Sequence, residues 1–436
     1  MTADKAIAGD GQPEASLGLN LARRAARVLP GGTFGNMEGD TVIVAGKAGH
    51  VWDSEGREYI DFLIGSGPML VGHAHPEVLA VAQATMARGT TFFANNEHGI
   101  RLAEMIVDAV PCADQVRFTS SGTEADSYAM RLVRAHRRRD KILKFEGGYH
   151  GMSDMAMLSL WPRHPGNFPV ASIDSAGVPG STADTVLVCP FNDLAAVQAM
   201  IHARHDEIAG VIVEPMQRLV PPAPGFLQGL RAITAEYGIP LIFDEVVTGF
   251  RLAYGGAQAH YGVVPDLCTL GKVIGGGFPL AAIAGRAEIM AHFDRSLAGE
   301  DGFTPQIGTL SGNPVAAAAG VATLEILQRP GTYEQLAATG TALRDGLRQA
   351  LGEAGFAVQV PGEPAMFDVV FTPTPVTDYR SSMTGDAGLA RRFNALLRER
   401  GIFKSAGKLY VSLAHDAADV GQAIAAFRSA AAALRA

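Results

Sequence analysis

The sequence predicts an α/β fold, with a mostly parallel seven-stranded sheet, helices on both faces of it, and a smaller α+β domain. Short apolar runs rich in β-branched residues alternate with stretches of helical periodicity. Runs that are apolar throughout are typical of strands covered on both faces. The chain has 436 residues, 47% of them hydrophobic, which suffices for a large core. The predicted strands are 116–119, 142–145, 185–189, 210–213, 240–243, 267–270 and 280–284.

The segments before and after these strands predict the smaller domain. Residues 42–61 indicate strands joined by a hairpin turn at 54–57. Helical patterns occur at 230–237 in the main part and at 336–351 and 387–400 in the tail, with strands between the last two. We therefore expect an N-terminal segment of the small domain at 1–62, a large domain at 63–328 and a C-terminal small domain at 329–436.

Composition favours an ordinary soluble enzyme. The formal net charge of -8 argues against general nucleic-acid binding. No apolar run approaches the roughly 18 residues that a membrane span needs, and residues 1–17 lack the features of a leader peptide. Cys112, Cys189 and Cys268 lack the spacing of a zinc site, so we expect them to be buried. A cytoplasmic enzyme without a metal is the resulting expectation.

Lys272 and Asp244 are the main candidates for catalysis. Lys272 lies among apolar residues and glycines at 266–277, and Asp244 ends an apolar strand. A desolvated lysine reaches the neutral form that a Schiff base requires, and a carboxylate beside a pyridine nitrogen favours the protonated ring. The pair predicts a pyridoxal phosphate site. Taken singly, a solvated lysine and a carboxylate that ends a strand would be the simpler interpretation.

A phosphate-binding turn is predicted at 120–123. The strand at 116–119 leads into this turn and then into a helix, which places Ser121, Gly122 and Thr123 where backbone N–H groups and the helix dipole attract a phosphate. Ser121 and Glu124 also fit a capping box. A cap and a phosphate site use the same N–H groups, so both interpretations stay open.

Seven motifs follow one another along the chain: Gly72-His-Ala-His-Pro76, Ser120-Ser-Gly-Thr-Glu-Ala125, Phe145-Glu-Gly-Gly-Tyr-His-Gly151, Glu214-Pro215, Phe243-Asp-Glu-Val-Val-Thr-Gly-Phe-Arg251, Thr269-Leu-Gly-Lys-Val-Ile-Gly-Gly-Gly277 and Gly308-Thr-Leu-Ser-Gly-Asn-Pro314. In this order they resemble the class III pyridoxal-phosphate-dependent aminotransferases, and within them most of all the glutamate-1-semialdehyde 2,1-aminomutase subgroup. The resemblance extends from about residue 29 to residue 415. It implies fold type I, with pyridoxal 5'-phosphate as cofactor and pyridoxamine 5'-phosphate as its half-reaction form.

The resemblance also implies individual roles. Tyr149 is similar to the aromatic residue that stacks on one face of the cofactor ring, with Val246 on the other, although both could simply be core residues. Thr309 resembles a hydroxyl that reaches the phosphate of the neighbouring subunit of a homodimer, or it is a turn residue. Strands at 400–403 and 410–415 would close over the pocket. The implied cofactor-binding residues are Ser121, Gly122, Thr123, Tyr149, His150, Glu214, Asp244, Val246, Lys272 and Thr309.

The predicted substrate pocket departs from that subgroup. The aminomutases bind the substrate carboxylate with an arginine after an N-terminal Pro-Gly-Gly, whereas residues 30–38 contain no arginine and place Glu38 near that position. A large pocket aromatic is replaced by the small residues of 65–67. Arg251 either binds an acceptor carboxylate or holds its loop through a salt bridge. The predicted substrate residues are Phe34, Glu38, Ser66, Phe93 and Arg251.

Together these features predict a pyridoxal-phosphate-dependent transaminase. An amine or amino acid would pass its amino group, through a Lys272 aldimine and pyridoxamine phosphate, to an oxo acid or aldehyde. The roomier pocket favours an amine or a bulky amino acid over a small dicarboxylate. One alternative is the aminomutase, in which the amino group returns to a neighbouring carbon and yields 5-aminolevulinate. A catalytically silent, cofactor-binding protein is the other, and the intact Lys272 argues against it.

Overall fold

The computed structural model describes residues 17–37 and 41–435. The strands are β1 (Ile43–Lys47), β2 (His50–Asp53), β3 (Glu58–Asp61), β4 (Gln115–Thr119), β5 (Lys141–Phe145), β6 (Val186–Cys189), β7 (Ile208–Val213), β8 (Leu241–Glu245), β9 (Leu267–Leu270), β10 (Ala281–Gly285), β11 (Gly362–Glu363), β12 (Met366–Phe367), β13 (Ile402–Phe403) and β14 (Leu409–Tyr410). The helices are α1 (Leu17–Val28), α2 (Pro76–Met86), α3 (Glu97–Ala109), α4 (Gly122–Arg137), α5 (Leu194–Arg204), α6 (Phe226–Glu236), α7 (Gly256–Tyr261), α8 (Ala287–Met290), α9 (Arg295–Ala298), α10 (Pro314–Leu327), α11 (Thr332–Glu353), α12 (Tyr379–Ser382), α13 (Ala387–Glu399) and α14 (Ala417–Arg435).

The central sheet has seven strands in the order β4-β10-β9-β8-β7-β5-β6. β10 is antiparallel to both of its neighbours, whereas the β9-β8, β8-β7, β7-β5 and β5-β6 pairs are parallel. β4 therefore runs in the same direction as the parallel strands. The predicted mostly parallel sheet is confirmed, and each predicted strand lies within two residues of its observed bounds.

Both faces of the central sheet are covered, as its apolar strands predict. On β8, Ile242 packs in one cluster with Val133 of α4, while Phe243 packs in the other with Leu230 of α6. Neighbouring residues of a strand point to opposite faces, so this division shows helices on each side. Because every residue of β8 is buried, each apolar side chain of the strand adds to the core.

A second sheet joins the two ends of the chain. β1, β2 and β3 form an antiparallel meander, with the predicted turn at 54–57, and β13 pairs with β3 in parallel. The predicted helices at 230–237, 336–351 and 387–400 correspond to α6, α11 and α13. This shared sheet supports a smaller unit built from both ends. The domain boundaries after residues 62 and 328 stay a proposal.

The predicted strand at 410–415 is wrong beyond Tyr410. β14 ends at that residue, and the next residues form a turn in which the His415 N–H donates to the Ser412 carbonyl at 3.2 Å. The Ser412 N–H donates to His415 Nδ1 at 3.1 Å, so a side chain replaces a strand partner. These hydrogen bonds between Ser412 and His415 therefore end the strand that the apolar pattern predicted.

No helix in the described ranges is long and apolar enough to cross a membrane. Within the same ranges, no group of His, Cys, Asp and Glu side chains is arranged to hold a metal ion. The three cysteines are buried and unpaired with one another as disulfides, which confirms the expectation of burial.

Candidate active site

Five strands of the central sheet end at one edge, and each is followed by, or ends in, residues of the candidate site. Parallel strands bring their carboxyl ends together, and open α/β sheets bind ligands at that edge. The strands and the residues they position are β4 with Ser121, β5 with Tyr149 and His150, β7 with Glu214, β8 with Asp244, and β9 with Lys272. Residues separated by up to about a third of the chain are therefore assembled by sheet topology.

Asp244 is held by hydrogen bonds on both of its oxygen atoms. Its Oδ2 atom lies 2.8 Å from Nδ1 of His150, and its Oδ1 atom accepts from the Val246 N–H at 3.1 Å. The carboxylate is 5% exposed. Nε2 of His150 is buried and has no partner among the described residues. The imidazole therefore orients the carboxylate in an environment from which most water is excluded.

A second acid, Asp126, lies behind Asp244 and was not predicted from the sequence. The Thr269 hydroxyl donates to Oδ1 of Asp126 at 2.6 Å and lies 3.5 Å from Oδ1 of Asp244. Burial, and then the negative charge of Asp244, raise the pKa of Asp126 well above its usual range. The burial of Asp126 could have been predicted from the sequence, because a residue that shares a helix face with apolar neighbours is expected to be buried. Those neighbours are Ala129, Met130 and Val133.

Lys272 has a strained backbone directly after β9. Its φ of 48° lies in the left-handed region, which costs a non-glycine residue about 1–3 kcal/mol and is found preferentially at functional sites. Burial lowers the pKa of the Lys272 ammonium group, and the positive charges of Lys408 and Arg251 act in the same direction. The neutral amine is therefore more accessible than that of a solvated lysine.

The turn at the start of α4 contains a capping box and still leaves N–H groups for a ligand. The Ser120 and Ser121 N–H groups donate to Oε2 of Glu124 at 2.8 and 3.1 Å, and the Glu124 N–H donates to the Ser121 hydroxyl at 3.3 Å. The first N–H groups of a helix, here those of Gly122 and Thr123, have no acceptor inside the helix. The two interpretations of this turn are compatible, because the cap and a phosphate use different N–H groups.

Val246 packs between the turn at the start of α4 and the residue before Lys272. A Cβ added to Gly122 would lie 3.0 Å from Cγ1 of Val246, and one added to Gly271 would lie 3.2 Å from the same atom. Both glycines therefore permit this close packing. The valine side chain is one wall of the site and connects the turn to the lysine.

Tyr149 is half-buried at the end of the loop after β5. Its backbone N–H donates to Oε2 of Glu214 at 2.9 Å, and the guanidinium of Arg218 lies 5.0 Å from the centre of its ring. Glu214 thus fixes the backbone that carries the aromatic ring. The cation–π contact with Arg218 restrains the ring itself.

Gly67, from the N-terminal part of the chain, lies beside Lys272. Its φ is 110°, and an added Cβ would lie 3.1 Å from Nη2 of Arg251, 3.2 Å from Cε1 of Tyr410 and 3.5 Å from Cδ of Lys272. Only glycine fits this position without displacing a neighbour. Tyr410 is a site residue that was predicted only as part of a closing strand. Ser66, a predicted substrate residue, precedes Gly67 and is exposed.

Arg251 is fully buried and does not form the salt bridge considered from the sequence. Its Nε donates to the Val247 carbonyl at 3.0 Å and its Nη2 to the Gly67 carbonyl. No carboxylate pairs with it in the part of the chain that the structure describes, and its Nη1 has no partner there. Burial lowers the pKa of the guanidinium to about 10. The arginine holds Gly67 through its carbonyl, so the loop is fixed by backbone acceptors.

Three predicted residues are exposed, and two of them line a separate cavity. Thr309 and Phe93 are exposed and line a separate cavity of about 440 Å³, whose lining contains neither Asp244 nor Lys272. Phe34 is 85% exposed. Glu38 lies outside the described residues. One chain therefore brings together most of the predicted cofactor residues but not the outer part of the predicted site.

The inner arrangement fits pyridoxal phosphate. The open N–H groups at the start of α4 suit a phosphate, and the hydrogen-bonded Asp244 carboxylate suits a protonated ring nitrogen. Val246 and Tyr149 offer apolar and aromatic walls for a ring, and Lys272 offers an amine of lowered pKa. These are the groups that the cofactor requires, and they come from the ends of four strands, β4, β5, β8 and β9.

The whole chain is similar to several solved structures. The chain matches an omega-transaminase from Sphaerobacter thermophilus at 37% identity and a TM-score of 0.92, covering 97% of this chain and 99% of that one. It also matches a transaminase structure with PLP bound at 30% identity and a TM-score of 0.87, covering 95% and 97%. A glutamate-1-semialdehyde aminomutase from Pseudomonas aeruginosa PAO1 matches at 25% identity and a TM-score of 0.85, covering 96% and 94%.

The sequence itself matches the family described as aminotransferase class-III over residues 35–428. This match covers most of the chain and includes every motif on which the resemblance depends. The specific subgroup is not distinguished, because transaminases and an aminomutase are both structural neighbours. The chain belongs to the class-III aminotransferase family.

Proposed function

We propose that this chain moves an amino group from an amine or amino acid to an oxo acid or aldehyde, with pyridoxal 5'-phosphate as its cofactor. The observation that carries the proposal is the convergence of Lys272 and Asp244 at neighbouring strand ends, beside the open N–H groups of α4. Membership of the class-III aminotransferase family supports the reaction type. The structural neighbours with bound cofactor support the choice of cofactor.

Each residue of the candidate site would have a separate role in the reaction. Pyridoxal phosphate, when bound, supplies an electron sink for the carbon that bears the substrate amine. Asp244 would accept a hydrogen bond from the protonated ring nitrogen, and His150 would keep the carboxylate in place. The N–H groups of Gly122 and Thr123 would bind the phosphate. Lys272 would hold the cofactor covalently, then take the proton from the substrate carbon and return it.

The proposed donor is an amine or a bulky amino acid. Gly65, Ser66 and Gly67 place no large side chain beside Lys272, which supports a pocket with room for a bulky group. Two arginines are close to the site: Arg218 stacks on Tyr149, and Arg251 holds Gly67. Neither pairs with a carboxylate in the described ranges, so either could receive the carboxylate of an oxo acid acceptor.

A donor screen on the purified holoenzyme tests the proposal. Each amine, amino acid or amino sugar is added alone, and the visible absorbance of the bound cofactor is followed. We expect at least one amine or bulky amino acid to remove the absorbance and a later addition of oxo acid to restore it. A second arm adds glutamate-1-semialdehyde alone, since 5-aminolevulinate formed without any donor would favour the aminomutase. If no donor and no semialdehyde reacts, the proposed transfer is wrong.

We further propose that the working form is a homodimer in which Thr309 completes the cofactor site of the neighbouring subunit. The cavity around Thr309 is bordered by exposed apolar side chains, including Phe93 at 70% and Ile307 at 78% exposure. Exposed apolar patches of this kind mark protein interfaces. Light scattering on the holoenzyme measures the assembly directly, and a monomer at micromolar concentration would contradict the proposal. The cytoplasmic location stays a prediction of the sequence.

A further inference from the structure

Two buried acids lie within hydrogen-bonding distance of a single hydroxyl group in the interior of the sheet edge. Asp126 is 2% exposed and Asp244 is 5% exposed, and the hydroxyl belongs to Thr269. The short 2.6 Å distance to Oδ1 of Asp126 and the 3.5 Å distance to Oδ1 of Asp244 place the hydroxyl hydrogen on the Asp126 side. The side chain of Asp244 is a direct neighbour of Asp126.

The hydrogen-bond donors around the two acids are divided unequally. Asp244 receives the His150 imidazole and the Val246 N–H, whereas the Thr269 hydroxyl is the donor that reaches Asp126. Two ionised carboxylates in contact and out of water repel each other strongly, so one of them retains a proton. The acid with fewer donors is the one on which the proton is held more easily.

The remaining charges around Asp126 act in the same direction. The titratable groups that face it are Asp244 on β8 and Glu214 after β7, and both raise its pKa through their negative charges, in addition to burial. His150 contacts Asp244 on the side of Oδ2, and no cation pairs with Asp126 in the described ranges. The Thr269 hydroxyl is therefore the one group described around Asp126 that favours a negative charge there, and burial and the two neighbouring acids outweigh it.

We propose that Asp126 is a positioning residue, which keeps its proton and donates it in a hydrogen bond to Asp244 so that Asp244 remains the ionised partner of the cofactor ring. A hydrogen bond to the charged form of an acid favours that form. The ring nitrogen, and not Asp244, would then hold the proton that lies between them. This inference deepens the proposed function and rests on it for the role of Asp244.

Infrared spectroscopy of the cofactor-free protein tests the proton on Asp126. The Asp126→Asn variant keeps the shape of the side chain and both of its hydrogen-bonding functions. We expect the difference spectrum, wild type minus D126N at neutral pH, to contain the carbonyl band of a protonated carboxylic acid. Carboxylate bands in its place would overturn the proposal. Because the cofactor is absent, this result does not depend on the proposed reaction.

Nuclear magnetic resonance of bound pyridoxal phosphate, labelled with ¹⁵N in its ring, tests the consequence. We expect wild type and D126N to give the shift of a protonated ring nitrogen. The Asp126→Leu variant removes the donor, so its shift should move towards that of neutral pyridine, with cofactor binding about tenfold weaker. An unchanged shift in D126L, or the same displacement in D126N, would overturn the proposal. If D126L does not fold, the infrared spectrum of D126N still decides where the proton lies.

Glu245 provides a matched control. It is also fully buried, follows Asp244 directly, and burial raises its pKa to about 7. Its hydrogen bonds, however, join Thr248 and the Ala257 N–H, and none joins Asp244. Glu245→Gln should leave the ring ¹⁵N shift of the holoenzyme unchanged, and a displacement equal to that of D126L would assign the effect to general burial of charge. A wild-type protein that binds no cofactor would contradict the proposed function and leave the infrared result intact.

Discussion

The candidate site has an inner part around Asp244 and Lys272 and an outer part around Thr309. A single chain forms the inner part fully but leaves the outer part exposed. Around Asp244, the His150 and Asp126 side chains are buried and lie in a network of hydrogen bonds of 2.6–3.1 Å. Around Thr309, Phe93 and Ile307 are exposed apolar groups bordering an open cavity. Burial makes the inner polar contacts costly to break, whereas the outer surface gains free energy only when something covers it. The inner part is a property of the fold, and the outer part needs a partner.

The largest effect is expected when the inner part loses its amine. Lys272→Ala should reduce the rate of amino transfer by about 10²- to 10⁴-fold, because the positioned group that moves the proton is gone. Single-turnover kinetics with a donor found in the screen measure this loss. Lys47, an exposed lysine in β1, supplies the control, and Lys47→Ala should leave the rate unchanged. A K272A rate equal to that of wild type would remove the basis of the mechanism.

The next prediction concerns the tight packing beside that amine. Gly67→Ala adds a Cβ between Arg251, Tyr410 and Lys272, so kcat/KM should fall about 10- to 100-fold through displacement of the lysine. Gly177→Ala is the matched control, since Gly177 has a φ of 89° but no atom within 4 Å of an added Cβ. The Gly177→Ala variant therefore has comparable backbone strain but none of the close contacts that an added Cβ makes at Gly67. Equal losses in both variants would mean that strain alone, and not contact with the site, explains the effect.

A third prediction tests the outer part. Ile307→Asp places a charge on the apolar border of the Thr309 cavity, and the dimer dissociation constant should rise about tenfold or more. Analytical ultracentrifugation measures this change. Val170→Asp is a control at another exposed apolar residue, 69% exposed against 78% for Ile307. If both substitutions weaken the assembly equally, the surface around Thr309 is not the interface.

The smallest predicted effect concerns the pH dependence of the free energy of unfolding, to which the buried Lys144 of β5 contributes. Its Nζ donates to the Ala156 and Leu158 carbonyls at 3.1 and 2.7 Å, and burial lowers its pKa to about 7. Between that value and the pKa of an unfolded lysine, the unfolded chain binds one more proton. The free energy of unfolding of the cofactor-free protein should therefore rise with pH by about 1.4 kcal/mol per unit in this range.

Urea unfolding at pH 7, 8 and 9 measures this dependence. Lys144→Met should lower the slope by about 1.4 kcal/mol per pH unit, because the substituted side chain has no proton to lose. Lys141, on the same strand, bonds the Asp184 carbonyl near the surface, and Lys141→Met serves as the control that keeps the slope. An unchanged slope in the Lys144 variant would mean that its ammonium group stays charged in the folded protein.

Much of the fold was predictable because apolar periodicity is a local property. Strands such as β9 were predicted at their observed bounds, since a short apolar run between turn residues has few other structures available. The motif residues of the site were predictable because they follow these strands directly. The strand predicted at 410–415 was wrong beyond Tyr410, because hydrogen bonds of Ser412 and His415 compete with the sheet ladder. Such competition depends on side-chain geometry that the pattern does not contain.

The sequence by itself determined the order of strands and helices, the lysine and carboxylate at neighbouring strand ends, and the family to which the chain belongs. Only the tertiary structure decided that Asp126 lies against Asp244, that Arg251 bonds backbone carbonyls, and that Thr309 lines a cavity whose lining does not include Lys272. The physical reason is the range of the interactions. Propensity and periodicity act over a few residues, whereas burial and charge depend on groups that only the folded sheet brings together.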